Sequence, residues 1–274
     1  MLGRRTVLAA AVSLAAGCAA PGRPADAPSA VAAPAAPAAV APPAPPTREQ
    51  VLARYAGQAP RLWGTDLPGV EATVPDGALA LTFDACGGPG GDGYDEELIG
   101  VLRRHGVPAT LFLNARWVDA NPGPFGELAA DRLFEIGNHG TAHRPLSVTG
   151  RSAYGITGTA DPAAAYEEVA GNRAKLAALL GRPPRWFRSG TAHYDEVAVR
   201  LVGELGERVA GFAVNGDAGA TFTAGQVASA VAAAAPGSVV ISHFNHPGSG
   251  TAAGYAQALP RLLDAGRSFV RLPS

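Results

Sequence analysis

Two histidines four positions apart are the residues best suited to bind a metal ion. The stretch GNHGTAHRP contains His139 and His143, and its glycines and proline indicate a loop or a single turn. On one turn, imidazoles at this spacing face the same way and can share one metal ion. A surface pair that binds nothing has the same spacing, so the place of the pair in the fold decides between the two.

A single aspartate ends an apolar stretch. In ALALTFDACGG, Asp84 follows residues typical of a buried strand and precedes a glycine-rich turn. A carboxylate in that position is unfavourable unless it is paired. Arg188, which also follows an apolar stretch, is the natural partner, because a carboxylate beside an arginine stays ionised and oriented. We interpret the pair as a general base and its tether, with a structural ion pair as the alternative.

A third histidine closes the apolar stretch VVISH. His243 has a candidate partner in Asp217 of VNGDAGAT, and a histidine held by a carboxylate keeps a proton and suits a general acid. Nearby polar residues are candidates for substrate contact: His193, Tyr194, Asn215 and His246. For His193 and His246, simple exposure without a ligand is the alternative.

Strand-like and helix-like segments alternate from residue 76 to the end of the sequence. The predicted strands are 79–83, 109–114, the end of 125–137, 185–188, 210–215, 239–243 and 269–272. The predicted helices are 95–105, the start of 125–137, 161–180, 195–205, 226–235 and 253–265. This alternation indicates an α/β fold with a parallel sheet. About seven strands favour a distorted or incomplete (β/α) barrel over an open doubly wound sheet, for which no dinucleotide fingerprint is present.

The chemically active residues follow these predicted strands. In parallel β/α folds the carboxyl ends of the strands lie along one edge, where active sites form. The residues concerned are Asp84, Asn114, His139, His143, Arg188, Asn215, Asp217 and His243. Their common position favours a metal site over an unrelated surface pair.

The N-terminus is typical of an export signal. Arg4 and Arg5 precede the apolar run 7–16, which is too short to span a bilayer. LAAGC, ending at Cys18, resembles a bacterial lipoprotein processing site. We therefore expect residues 1–18 to direct export to the cell envelope, with lipid attached at Cys18 or, alternatively, plain secretion.

Composition divides the remaining chain. Residues 19–46 are almost entirely Ala and Pro and predict an extended linker, and residues 47–75 form an N-terminal extension that begins with a short helix capped by Thr47. The formal net charge of −1 gives no basic surface for nucleic acid. Only two cysteines are present, so no disulfide framework is expected. The sequence does not indicate an oligomeric state, and it predicts membrane contact only through the lipid.

Five stretches resemble the motifs of polysaccharide deacetylases, the NodB-homology or carbohydrate esterase family four group. LTFDA is similar to the first motif, T-F-D-D; HGTAH is similar to the metal motif H-[ST]-x-x-H; and WFRSG resembles the motif that carries an arginine. The region of Asp217 and the stretch VISH resemble the last two motifs. All five occur in the family's order within residues 76–274, although Gly140 stands where a hydroxyl residue is usual.

The resemblance implies a hydrolase that removes N-acetyl groups with a divalent metal, commonly zinc. It implies Asp84 as the catalytic base and Arg188 as its tether. It also implies His243 as the general acid, supported by Asp217, and the two histidines of HGTAH as metal ligands. A polysaccharide is the expected partner.

The sequence departs from the family at Ala85, where the second aspartate of T-F-D-D would be the third protein ligand of the metal. Four outcomes are open. Asp84 could move onto the metal, or Asp92 or Asp95 of the glycine-rich insertion could reach it. Cys86 could bind, since it lies on the same face as Asp84 if the strand continues. The ion could also be bound weakly or not at all. We favour Asp84 or Asp92, because a lone thiol is more often a small buried residue than a ligand.

The sequence therefore predicts a metal-dependent hydrolase that removes acetyl groups from an N-acetylated polysaccharide of the cell envelope, peptidoglycan or similar. A glycan-binding lipoprotein with a degenerate metal site and an O-acetyl esterase are the alternatives. Against a degenerate site, the sequence retains Asp84, His139, His143, Arg188, Asp217 and His243.

Overall fold

One parallel sheet organises residues 45–273, the part of the chain that the computed structural model describes. Within these residues the strands are β1 (Val70–Glu71), β2 (Leu79–Ala85), β3 (Ala109–Leu113), β4 (Phe134–Asn138), β5 (Trp186–Phe187), β6 (Arg208–Ala210), β7 (Val214–Asn215), β8 (Val239–His243) and β9 (Phe269–Val270). The helices are α1 (Arg48–Tyr55), α2 (Glu96–His105), α3 (Ala115–Ala120), α4 (Pro122–Ala130), α5 (Pro162–Leu180), α6 (Glu196–Glu204), α7 (Ala224–Ala232) and α8 (Gly250–Asp264).

The strand order is β1-β6-β5-β4-β3-β2-β8-β7, with β9 beside β2, and every pairing is parallel. β6 and β7 lie near opposite ends of this order, yet only residues 211–213 separate them. The sheet must therefore curl until its ends approach each other. The architecture is an α/β fold with an incomplete barrel, as predicted.

The strand count differs from the prediction of about seven. β1 was not predicted, because only two of its residues pair, and the predicted strand 210–215 is divided into β6 and β7. The division begins at Gly211, whose N–H bonds the Glu71 carbonyl, and ends at Ala213, whose N–H bonds the Val239 carbonyl. The chain thus leaves one end of the sheet and joins the other within a few residues.

Helix boundaries follow local capping chemistry. The predicted helix 161–180 is confirmed as α5, where Asp161 accepts a hydrogen bond from the Ala164 N–H, Pro162 is the first helical residue and Gly181 ends the helix in the left-handed conformation. The predicted cap of α1 is also confirmed, because the Thr47 side chain accepts a hydrogen bond from the Gln50 N–H. The short helix α3 was not predicted.

β2 lies in the middle of the sheet and separates the core from the barrel interior. Its odd-numbered residues, from Leu79 to Ala85, belong to the apolar cluster that packs against α2, α7 and α8. Thr82 and Asp84 alternate with them and contact Arg188 inside the barrel. The strand therefore directs apolar groups to the helices and polar groups to the interior.

The predicted export signal, Cys18 and residues 19–44 of the predicted linker lie outside the described residues. Among the helices within 45–273, none combines the length and apolar character needed to cross a membrane.

Candidate active site

His139 directly follows β4 and is fully buried. Its Nδ1 lies 2.8 Å from the carbonyl oxygen of Arg188, which can only accept, so Nδ1 carries the proton and donates. Nε2 keeps its lone pair, 3.7 Å from Asp84 Oδ2 and 4.0 Å from Cys86 Sγ. Burial lowers the pKa of His139 despite the neighbouring Asp84 carboxylate. A hydrogen bond of this kind on the far nitrogen is what orients a histidine that binds a metal.

His143 has a second free ring nitrogen, and its ring lies beside that of His139. The two imidazole rings lie edge to face with centroids 5.0 Å apart. The His143 backbone is left-handed, with φ of 60°, and passes so close to Gly190 that a Cβ there would lie 2.3 Å from the His143 carbonyl carbon. Its Nε2 is buried and has no hydrogen-bond partner within residues 45–273. Burial and the neighbouring His139 lower the pKa of His143 to about 3, so the ring is neutral.

Glu168 of α5 holds the loop between the histidines, residues 139–144, which we call the histidine loop. Its carboxylate accepts hydrogen bonds from Thr141 Oγ1 at 2.8 Å and from the N–H groups of Ala142 and Arg144 at 3.0 and 3.1 Å. Burial raises the pKa of Glu168, while these bonds oppose the shift. Sequence reasoning missed this residue. The available signal was a carboxylate directly before Val169 in the apolar stripe of a helix.

Asp84 and Arg188 form the predicted buried pair. Arg188 donates from one guanidinium nitrogen to Asp84 Oδ1 and to Thr82 Oγ1, both at 2.8 Å, and from the other to the Gly211 carbonyl at 2.8 Å. Its guanidinium also stacks on Phe112, 4.3 Å from the ring centroid. Burial alone would raise the pKa of Asp84, but Arg188 and the nearby histidines outweigh it and lower the pKa. The carboxylate is therefore ionised, with Oδ2 left for other contacts.

His243 and Asp217 form the second predicted pair. His243 Nδ1 lies 2.9 Å from Asp217 Oδ1, and the His243 N–H donates to Oδ2 at 2.7 Å. Thr251 Oγ1 also donates to Oδ2, at 3.1 Å, which fixes the carboxylate. Burial would lower the pKa of His243, but the hydrogen bond and charge of Asp217 raise it. His243 lies opposite Asp84 in the register of the paired strands, so the two pairs face one pocket.

The metal side of the site differs from the favoured prediction. Ala85 is fully buried in the apolar cluster, whereas Cys86 faces the histidines. One ligand atom each from Cys86, His139 and His143 lie within 4.8 Å of one another, and in the described part of the chain no carboxylate joins this cluster. We call these three residues the thiol–histidine cluster. Asp84 borders it, with Oδ2 3.7 Å from His139 Nε2.

The two other proposed carboxylate ligands have structural roles. Asp92 accepts a hydrogen bond from the Gly88 N–H, and Asp95 caps α2 by accepting from the Leu98 N–H at 2.9 Å. Two neutral imidazoles, one with an orphaned buried nitrogen, and a thiol are donors that suit a divalent metal. The residues present therefore fit the metal that the sequence predicted.

A pocket of about 360 Å³ opens onto both pairs, and its lining includes Asp84, His143, Tyr154, Ile156, Asn215 and His243. Tyr154 is 80% exposed, and its ring packs edge-on against His193, with centroids 5.2 Å apart. His193 thus lies behind Tyr154 rather than in the pocket lining. His246 is half-buried and also lies outside the lining; its ring contacts the Asn245 side chain.

The prediction that Tyr194 contacts substrate is wrong. Its side chain is fully buried, its hydroxyl accepts from the Ser189 N–H and donates to the Ala210 carbonyl, and no surface remains for a ligand. Asn114, placed at the strand ends by the sequence, is buried as well and donates to the His139 carbonyl at 2.9 Å. Both residues are buried beneath the site and support it through hydrogen bonds to its backbone.

Solved structures of similar fold come from carbohydrate esterases. The Bc1960 peptidoglycan N-acetylglucosamine deacetylase is 22% identical with a TM-score of 0.61, over 74% of this chain and 90% of that one. BA3943, a CE4 family pseudoenzyme from Bacillus anthracis, is 19% identical with a TM-score of 0.60, over 72% of this chain and 64% of that one. A BA3943 mutant with restored enzymatic activity is 21% identical, also with a TM-score of 0.60, over 72% of this chain and 66% of that one.

Sequence comparison gives one curated relative and one family. The uncharacterized protein YlxY of Bacillus subtilis (strain 168) is 27% identical over 116 residues, which are 42% of this chain and 32% of YlxY. The chain therefore matches about a third of the length of this relative. The family model for polysaccharide deacetylase matches residues 71–210, just over half of the chain, and this range contains Asp84, His139, His143 and Arg188. The chain belongs to the polysaccharide deacetylase family.

Proposed function

We propose that this protein is a metal-dependent hydrolase that removes acetyl groups from an N-acetylated polysaccharide of the cell envelope. The observation that carries the proposal is the register of β2 and β8, which pairs Asp84 with His243. An ionised carboxylate tied to Arg188 and a histidine tied to Asp217 thus face one pocket from adjacent strands. Amide hydrolysis requires a base and an acid whose environments hold them in different protonation states.

Asp84 is suited to take a proton from the attacking water. Arg188 holds Oδ1 and keeps the carboxylate ionised, so Oδ2 is the oxygen that can accept the proton. Its charge also lies beside His139, which fixes its position relative to the histidines. Geometry and charge state therefore both favour Asp84 as the base.

His243 is suited to protonate the leaving nitrogen. Because Asp217 binds Nδ1, the other ring nitrogen, Nε2, is the one available to the pocket, and the raised pKa favours a proton there. As the new carbon–oxygen bond forms and the carbon–nitrogen bond breaks, this proton passes to nitrogen and leaves a free amine and acetate. The Asp217 carboxylate stabilises the imidazolium before the transfer.

His139 and His143 would hold the divalent ion, with their free Nε2 atoms beside Asp84 and the pocket. A divalent ion held there would supply Lewis acidity to the acetyl carbonyl and to the attacking water. The histidine loop has to keep both rings in place for this, and Glu168 does so through its three hydrogen-bond partners.

The pocket fits a sugar chain, and several features support an envelope glycan. A volume of about 360 Å³ is that of a small-ligand site, and the exposed ring of Tyr154 offers an apolar face to a sugar at its rim. The predicted export signal would bring the protein to the envelope. One protein of similar fold is described as a peptidoglycan N-acetylglucosamine deacetylase.

Acetate release tests the proposal. The purified full chain is stripped with a chelator, supplied with zinc and incubated with N-acetylglucosamine oligosaccharides or peptidoglycan fragments, with Asp84→Asn as the matched control. We expect acetate and free amine in equal amounts, loss on chelation and recovery with metal. Glycan binding without acetate under any divalent metal would replace the proposal with a non-catalytic binding protein. Acetate from O-acetylated glycan alone would replace it with an esterase.

A further inference from the structure

We propose that Cys86 is the third protein ligand of the metal and occupies the role that Ala85 cannot fill. The inference rests on the metal dependence proposed above and extends it to the identity of the ligands. It follows from the direction of two neighbouring side chains at the end of β2, from the spacing of three donor atoms, and from what holds the turn behind them.

The end of β2 turns Ala85 away from the histidines and Cys86 toward them. Ala85 lies in the apolar cluster with Phe83, on the helix side of the sheet. Asp84 and Cys86 lie on the other side, and both approach His139 Nε2, at 3.7 and 4.0 Å. Strand alternation accounts for this arrangement, since residues two apart share a face. The Cys86 thiol therefore already lies on the histidine side of the strand. A carboxylate at position 85 would have to turn back across the strand to reach the same place.

The donor spacing fits one ion. Zinc–sulfur and zinc–nitrogen bonds of about 2.3 and 2.05 Å place sulfur and nitrogen about 3.5 Å apart around a tetrahedral centre. The Cys86 Sγ to His139 Nε2 distance of 4.0 Å needs only a small closure to reach that value. His143 completes the cluster within 4.8 Å, and its buried Nε2 has no other partner in residues 45–273. Three protein ligands and one open position are the usual pattern of catalytic zinc.

The glycine turn after Cys86 fixes the thiol. Gly87 has φ of 67°, and a Cβ on it would lie 2.5 Å from the Trp117 backbone nitrogen, so the chain packs directly on α3. Arg116 of the same helix donates to the Cys86 carbonyl at 3.2 Å. The backbone on both sides of the sulfur is thereby held, as a ligand requires.

Assigning Cys86 as the third ligand leaves the Asp84 carboxylate free to act as the base. It also determines which metal ions the site prefers. With Cys86 as ligand, Asp84 keeps its bond to Arg188 and remains the base. If Asp84 bound the metal instead, it would have to give up its role as the base. A thiolate and two imidazoles favour zinc and cobalt over magnesium, calcium and manganese, which prefer oxygen. Binding replaces the S–H bond with a sulfur–metal bond and releases one proton to solvent.

Cobalt(II) titration of the full chain tests the ligand directly. The metal-free protein is titrated with cobalt(II), and thiolate ligation is read from a sulfur-to-cobalt charge-transfer band in the near ultraviolet. We expect one cobalt per chain, the band in the wild type and in Cys18→Ser, its loss in Cys86→Ser, and its displacement by zinc but not by magnesium. Because loss of a supporting residue already costs about 10- to 100-fold in metal affinity, Cys86→Ser should weaken zinc binding at least about tenfold.

The inference fails if the wild type binds cobalt without the band, if it binds no cobalt, or if Cys18→Ser removes the band. The wild-type spectrum needs no variant, so misfolding of Cys86→Ser cannot hide the answer. Acetate release is measured separately. Activity without the band would overturn Cys86 as a ligand and leave the proposed hydrolase intact, whereas the band without activity would support the ligand and count against the hydrolase.

Discussion

Glu168 is the residue whose removal should disturb the histidine loop most. It is 3% exposed and lies on α5, outside every sequence motif. Its carboxylate is the common acceptor for Thr141, Ala142 and Arg144, all inside the loop. In Glu168→Ala these three donors lose their partner, so the loop should loosen around His143 without any change to the sheet.

The expected cost follows from these contacts. Three hydrogen bonds at about 1 kcal/mol net each contribute about 3 kcal/mol. The buried Cγ methylene adds about 0.8 kcal/mol, so Glu168→Ala should lower the free energy of unfolding by about 4 kcal/mol. Glu168→Gln keeps the shape and one acceptor oxygen, and its amide can donate to Thr141 Oγ1. Its expected cost is about 1 kcal/mol, because Oε1 alone already accepts from the N–H groups of both Ala142 and Arg144.

Urea unfolding of the full chain, with zinc affinity measured in parallel, tests this reasoning. Glu167→Ala is the matched control, because Glu167 precedes Glu168 on the same helix and its side chain is 60% exposed in an ion pair with Arg48. It should change stability by less than about 0.5 kcal/mol. Zinc affinity should fall about tenfold or more in Glu168→Ala and less in Glu168→Gln. A Glu168→Ala protein as stable as the control, with unchanged zinc affinity, would refute the role assigned to Glu168.

Three further results are expected. Asp84→Asn should lower kcat for acetate release by about 10²- to 10⁴-fold while circular dichroism stays unchanged; a smaller loss would remove Asp84 as the base. Asp217→Asn removes the charge that contributes most to raising the pKa of His243, so the alkaline limb of the kcat/KM profile should move to lower pH, because the acid must be protonated to act. An unmoved limb would show that another group donates the proton. Gly140→Ser should destabilise the fold by about 1 to 2 kcal/mol, since φ is 76° and a Cβ would lie 2.3 Å from Glu168 Oε1. That cost should shrink in the Glu168→Ala background, and equal costs in both would show that the two residues are not coupled.

The sequence was sufficient for the fold class and for the two carboxylate pairs. Alternation of strand and helix signals predicted the parallel sheet, because apolar runs such as β2 are buried on both faces and bounded by turns. Asp84 with Arg188 and Asp217 with His243 were predictable because a charge at a buried strand end needs a partner, and both partners also stand at strand ends, Arg188 after β5 and His243 as the last residue of β8.

The sequence did not show in which direction side chains near the strand ends point, or how deeply they are buried. Tyr194 was placed among the substrate contacts as a polar residue beside His193, but its side chain points inward, where its hydroxyl donates to the Ala210 carbonyl. Cys86 was ranked below Asp84 and Asp92 because a lone thiol is more often a small buried residue than a ligand, and spacing alone does not show where β2 stops alternating. Glu168 was missed because two of its three partners are backbone N–H groups, which no residue type indicates. Each of these depends on tertiary packing rather than on local pattern.

The central position of β2 also sets how the site should lose its order on heating. β2 pairs with β3, β8 and β9, so the backbone under Asp84 and its neighbour His243 opens only when the middle of the sheet opens. In the histidine loop, the N–H groups of Ala142 and Arg144 donate to the Glu168 side chain rather than to a strand, so this part of the loop can open by itself. Amide hydrogens of residues 82–84 and 240–243 should therefore exchange with solvent only by global unfolding, and those of residues 142–144 far sooner. The proposed metal should accordingly be released before global unfolding, and the proposed activity should be lost on heating before the sheet melts.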